Sequence, residues 1–127
     1  MNRENPNAPH PDETFWSLEV EILPGKLEAV RAVVREMITS AENEAGTIAY
    51  EWYFNGADTV CHTYERYRNS EAVVAHAAVF GTKFVDRFLE TCRPTSLAVY
   101  GAPNAEARAL LDNYNPTYFS KMKGSFR

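Results

Sequence analysis

The sequence is short of the features by which many functions are recognised. It has two cysteines, Cys61 and Cys92, at no metal-ligand spacing. Two reduced, buried thiols are therefore expected rather than a zinc site or a disulfide framework. Basic residues are outnumbered by acidic ones, 13 to 17, giving a net charge of −4. The one accumulation of positive charge is Lys121, Lys123 and Arg127 at the end of the chain. A phosphate backbone needs clustered Lys and Arg, so nucleic acid is not an expected partner. No stretch of about 18 apolar residues is present, which argues against a membrane span. Residues 1–12 contain Pro6, Pro9 and Pro11 and no apolar signal core. They read as a flexible lead-in, and a cytoplasmic location is expected. The six glycines form no phosphate-cradling loop. Ser40, Ser70 and Ser96 lack the surroundings of a nucleophile elbow.

What the chain has instead is aromatic residues, 13% of 127 positions, with enough length for one domain and its core. They concentrate around a hairpin. Two β-prone runs, 47–54 and 59–67, flank Asn55-Gly56-Ala57-Asp58. Asn-Gly suits the positive φ angles of a tight turn. Ahead of it, 14–22 reads as a strand that Pro24-Gly25 breaks. Leu27, Val30, Val33, Val34, Met37, Ile38 and Ala41 then form a helical stripe. Gly46 is placed to close that helix in the left-handed conformation. After the hairpin, Ser70 is placed to cap a helix over 70–79 that carries His76. Gly81 interrupts it, and Thr82 is placed to cap a further helical piece ended by Cys92-Arg93-Pro94. A fourth strand is expected over 95–101, and a short helix capped by Asn104 follows. The segment 102–127 keeps Tyr114, Tyr118, Phe119 and Phe126 without a regular period, so it is expected to lie over the domain or a partner.

The order β-α-β-β-α-β is that of the α+β ferredoxin-like split βαβ fold, an antiparallel sheet with helices on one face. Alternation puts Ile48, Tyr50, Trp52 and Phe54 on one side of the first hairpin strand, and Thr47, Ala49, Glu51 and Tyr53 on the other. In the second strand Val60, His62, Tyr64 and Arg66 alternate with Cys61, Thr63, Glu65 and Tyr67. Large rings on both faces predict a homodimer in which two sheets close into an α/β barrel.

Three stretches resemble the antibiotic biosynthesis monooxygenase domain. They are Pro24-Gly25-Lys26, then Glu44-Ala45-Gly46-Thr47-Ile48-Ala49-Tyr50-Glu51, then Glu65-Arg66-Tyr67-Arg68-Asn69-Ser70-Glu71-Ala72 followed by Ala75-His76. The resemblance spans 15–100, leaving 1–12 and 102–127 outside a domain at 13–101. It implies a dimeric α/β barrel and, by analogy with characterised members, oxidation of a quinol or polycyclic phenol by dioxygen without metal or flavin. It is a resemblance of scaffold: no Asn stands in the first strand and no Trp on the second helix, where the haem-degrading branch would call for them. The competing expectation is a non-catalytic barrel that binds a hydrophobic ligand, and the third is a haem-binding relative.

Cofactor-free oxygenation needs an apolar cavity, a base to deprotonate an activated phenol, and donors for the resulting oxyanion. His76 and His62 are the candidate bases, because no other side-chain type here ionises near neutral pH. Tyr50, Trp52, Tyr64, Phe80 and Phe84 are the candidate walls around a small aromatic substrate. Glu65 is the candidate for orienting a histidine. His62, His76 and Glu65 match no familiar metal motif, so neither metal nor cofactor is expected. The ordinary alternatives stand beside each: structural histidines, an aromatic hairpin serving as core and dimer surface, and an ion-paired strand edge at Glu65-Arg66.

Overall fold

The computed structural model describes residues 9–126. Most of the expected flexible lead-in, 1–8, lies outside the described residues. The elements run β1 (Thr14–Ile22), α1 (Leu27–Ala41), β2 (Thr47–Phe54), β3 (Val60–Tyr67), α2 (Ser70–Lys83), α3 (Val85–Leu89), β4 (Cys92–Tyr100), α4 (Ala105–Leu111) and β5 (Thr117–Phe119), with a turn of 3-10 helix at Asp112–Tyr114. The sheet order is β2-β3-β1-β4-β5. The first four strands pair antiparallel in the ferredoxin-like arrangement, and β5 adds to β4 in parallel.

Helix α1 forms because its apolar stripe has one place to go. Val30, Val33, Val34 and Met37 are buried against Val20, Cys61, Phe88 and Cys92. Each such side chain contributes about 1.5–3 kcal/mol relative to remaining in water. A second cluster joins Trp16, Tyr67, Val73, Leu97 and Val99 to Ala107 and Leu111 of α4. The C-terminal helix therefore packs on the domain itself, next to α2. Both cysteines are free and buried, and burial pushes each thiol up to about 11.

Several local expectations differ from the structure, each for a physical reason. The hairpin loop does not place positive φ at Asn55-Gly56. The left-handed residue is Asp58, at φ 53°, because the Asn55 carboxamide oxygen accepts from the N–H groups of both Thr59 and Val60 and fixes a longer loop. Gly46 is not left-handed either. A Cβ there would lie 2.4 Å from the Ala72 Cβ, so glycine permits close approach between the α1–β2 loop and α2. Asn69, not Ser70, caps α2 by accepting from the Ala72 N–H, while the Ser70 hydroxyl accepts from the Asn104 N–H. Gly81 does not end the helix, which continues to Lys83. Thr82 bonds back to the Ala78 carbonyl instead of capping a new piece. Strand β4 begins at Cys92, earlier than expected. Asn104 does cap α4, accepting from the Ala107 N–H.

Candidate functional site

Strand alternation sorts the candidate residues onto two faces of the sheet. Tyr50 and Trp52 of β2 and Glu65 of β3 point to the helix side, where they meet His76 and Phe80 of α2. Together with Trp16, Leu97 and Phe88 they line a cavity of about 210 Å³. Leu110, Leu111, Asn113 and Tyr114 form its remaining wall. The lining is overwhelmingly apolar. Among the described residues Glu65 is its one carboxylate, and no lysine or arginine lines it.

His62 and Tyr64 have the other parity and lie on the opposite face, outside this cavity. The His62 side chain is 56% exposed, with Nε2 2.9 Å from Glu19 Oε1. Tyr64 sits beside the Arg66 guanidinium. The expectation that both histidines flank one aromatic cavity is thus corrected: a period of two cannot bring His62 and Glu65 to the same face. Phe84, at the α2–α3 junction, also lies outside the cavity and packs against the core cluster that contains Met37.

His76 is the polar centre of the cavity floor. Its Nδ1 is 2.9 Å from Glu44 Oε1, and its Nε2 is 3.5 Å from Glu65 Oε1. Its side chain is 12% exposed. Glu65, expected to orient a histidine, stands beside His76, but the shorter contact belongs to Glu44. The α1–β2 loop delivers Glu44 because Gly46 presses onto Ala72, one helical turn before His76 on the same face of α2. The Thr47 hydroxyl donates to the same Glu44 oxygen at 2.8 Å. The buried Tyr67 hydroxyl donates to Glu65 at 2.7 Å, and the Tyr67 ring stacks on Trp16 at 4.6 Å. Glu44, Tyr67 and the wall from Leu110 to Tyr114 were not candidates from sequence. Glu44 and Tyr67 did stand inside the quoted motifs, but nothing local showed that they would meet His76.

The electrostatics follow from this geometry. Burial alone would lower the His76 pKa, but the Glu44 hydrogen bond and the charges of Glu65 and Glu44 raise it overall above its ordinary 6.5. For Glu44 burial is the largest influence and acts upward, but the His76 hydrogen bond, the His76 charge and the Thr47 hydrogen bond together outweigh it, so its pKa falls below 4.5. Burial, then the Glu65 charge, raises the phenols of Tyr50 and Tyr67 well above their ordinary range, and both stay protonated. The Trp52 indole N–H is buried and has no well-aligned hydrogen-bond partner among the described residues. It lies near enough to the Tyr50 oxygen to favour that phenolate slightly. Among the described residues no group of three or more His, Cys, Asp and Glu side chains is arranged to hold a metal ion. The cavity, about 210 Å³, is smaller than the roughly 300 Å³ at which sites for drug-sized ligands begin, so it does not fit a haem.

Residues 17–78, from β1 into α2, match the family model described as antibiotic biosynthesis monooxygenase. The resemblance read from the sequence is thus shown over 17–78, just under half of the chain. Solved structures share its fold. MupZ from Pseudomonas fluorescens superposes with a TM-score of 0.79 at 22% identity, over 91% of this chain and 94% of its own. Rv0793 from Mycobacterium tuberculosis gives 0.60 at 23% identity, over 72% and 96%. SnoaB, described as a cofactor-independent oxygenase from Streptomyces nogalater, gives 0.63 at 10% identity, over 74% and 96%. No curated protein matches the sequence. No helix among the described residues is long and apolar enough to cross a membrane.

The ion pair makes stability depend on pH with a definite sign. A raised histidine pKa stabilises the fold fully below 6.5, and this is lost as pH rises through the folded value. A lowered carboxylate pKa stabilises above 4.5, and this is lost as pH falls through the folded value. The pair's contribution is therefore greatest between these limits. Urea unfolding at about pH 5.5 and about pH 9 should show wild type losing more stability on going to alkaline pH than His76→Gln does. Parallel losses in the two proteins would show that the pair is not formed.

Proposed function

We propose that this protein is a cofactor-independent monooxygenase that oxidises a quinol or polycyclic phenol with dioxygen. The observation that carries the reading is an acid–base side chain, His76, held between Glu44 and Glu65 at the floor of an otherwise apolar cavity. The described relationship of fold to an oxygenase, SnoaB, supports it. The Nδ1–H of neutral His76 donates to the Glu44 carboxylate, which leaves Nε2 as the basic nitrogen, facing Glu65. A phenol in the cavity passes its proton to Nε2, and the imidazolium so formed is stabilised by both carboxylates. The Trp52 N–H, buried and unpaired, is the donor available to the oxyanion. The electron-rich phenolate then reduces dioxygen itself. A carbon–oxygen bond forms at a ring carbon, the oxygen–oxygen bond breaks, and the ring carbon becomes a carbonyl. The second oxygen atom leaves as water with two hydrogens from the substrate, so phenol plus dioxygen gives quinone plus water. Tyr50 and Phe80 supply flat apolar wall to the cavity that holds this chemistry.

The reading extends to the opposite face of the sheet. There Phe15 stacks on Tyr100 at 5.2 Å, Tyr100 stacks on Phe119 at 5.5 Å, and Arg66 covers the Phe15 ring at 4.6 Å. Tyr53 on the same face is 54% exposed. A second copy of this chain is the cover proposed for that surface, giving a homodimer closed sheet to sheet.

Two measurements test these proposals. With an oxygen electrode and a panel of hydroquinones and fused-ring phenols, wild type should consume oxygen above the uncatalysed background. His76→Gln should be slower by on the order of 10²–10⁴-fold, with the pH at half-maximal rate above 6.5 in wild type. No consumption by folded wild type would favour the binding-barrel reading, and full activity in His76→Gln would remove His76 from the mechanism. Light scattering at micromolar concentration should give twice the chain mass of 14.4 kDa. A mass near 14.4 kDa would contradict the dimer.

A further inference from the structure

The cavity also carries information about what it accepts. Its volume, about 210 Å³, lies between two reference points. An apolar protein cavity of about 150 Å³ holds benzene, and pockets for drug-sized ligands begin at about 300 Å³. The wall that limits it is held from several sides. Asn104 caps α4, Tyr114 packs edge-on against Phe80 at 6.3 Å, and the Tyr118 hydroxyl donates to Asp112 at 2.6 Å. Beyond it, β5 pairs with β4. The carboxylate and the histidine of the lining stand together. Glu65 is the only carboxylate lining the cavity among the described residues, its side chain is 5% exposed, and Tyr67 and His76 both lie against its Oε1. Among the described residues no side chain other than His76 that can carry positive charge lines the cavity, and that histidine already stands between two carboxylates.

From this juxtaposition we infer that the cavity selects an uncharged aromatic alcohol of one or two fused rings, with its hydroxyl directed to Glu65, and rejects both carboxylate ligands and four-ring systems. The inference rests on the aromatic-substrate reading above and narrows it. A hydroxyl hydrogen can donate to Glu65, beside the Nε2 that takes the proton in turnover, whereas a ligand arriving as an anion would meet a buried negative charge whose one nearby cation, a protonated His76, is already shared with Glu44. Glu65 is on this account a specificity-determining residue.

Binding can be read without turnover. The chain has two tryptophans, Trp16 and Trp52, and both line the cavity, so their two indole N–H signals in a ¹H–¹⁵N spectrum report it directly. Under anaerobic conditions naphthol should shift them saturably. Its methyl ether, which cannot donate, should bind roughly tenfold or more weakly, because a hydrogen bond to a charged acceptor is worth at least that factor. Naphthoate should be weaker than naphthol by about tenfold or more in wild type, and Glu65→Gln, which keeps the shape and removes the charge, should narrow that gap. Hydroxypyrene, with four rings, should leave both signals unmoved. Equal binding of naphthol and naphthoate to wild type, saturable binding of hydroxypyrene, or failure of naphthol to bind the folded protein would overturn the inference. Naphthol binding with no oxygen uptake would instead defeat the oxygenase reading and leave this one standing. Oxygen uptake with four-ring phenols alone would do the reverse.

Discussion

The constraint on which the site depends is the burial of three ionisable side chains in one place. Glu44, His76 and Glu65 are each at least 87% removed from solvent at the side chain. An isolated charge so placed would cost several kcal/mol, and the arrangement is tolerable only because each group is paired and hydrogen-bonded. Thr47 completes Glu44 and Tyr67 completes Glu65. That need for completion ties together the α1–β2 loop, β3 and α2, the segments whose sequence carries the family's motifs. Gly46 is the joint between them, since any larger residue would push the loop, and Glu44 with it, away from α2.

The rest of the chain divides along the sheet. Its helix side holds both core clusters and the cavity. The other side combines stacked rings at one end with the ion pairs Glu19–His62 and Glu21–Arg93 at the other. A face with that mixture is poorly suited to a core and well suited to a polar-rimmed contact. The segment after β4 does separate work. It covers the cavity through α4 and Tyr114, and its short strand extends the sheet edge.

Much of the fold was legible because it is written in local periods. The α1 stripe recurs every 3.6 residues, and the four long strands are runs of β-branched and aromatic side chains bounded by turn residues. Other features depend on partners distant in sequence. Strand β5 is three residues long and exists because β4 offers an edge. Gly46 looked like a helix terminator, yet its reason is the Ala72 side chain, 26 positions later. The cavity was half legible. Tyr50, Trp52, Glu65, His76 and Phe80 do converge, while His62 and Tyr64 were misplaced although strand parity already separated them from Glu65. Phe84 differs for another reason: the helical piece expected from Thr82 begins only at Val85, so Phe84 stands at the α2–α3 junction and faces Tyr50, His76 and Phe80 in a smaller space beside the cavity. Glu44 was invisible as a partner because a loop carboxylate has no periodicity, and only the closed fold shows which histidine it meets.

The central claim is that His76 is a buried imidazole flanked by two carboxylates. An NMR titration of its ring protons tests this most directly, with Glu44→Gln as the comparison. The account predicts an apparent pKa above the ordinary 6.5 in wild type and a clear fall in the variant, where burial is no longer offset by the Glu44 bond. A wild-type value at or below 6.5, unchanged by Glu44→Gln, would contradict it.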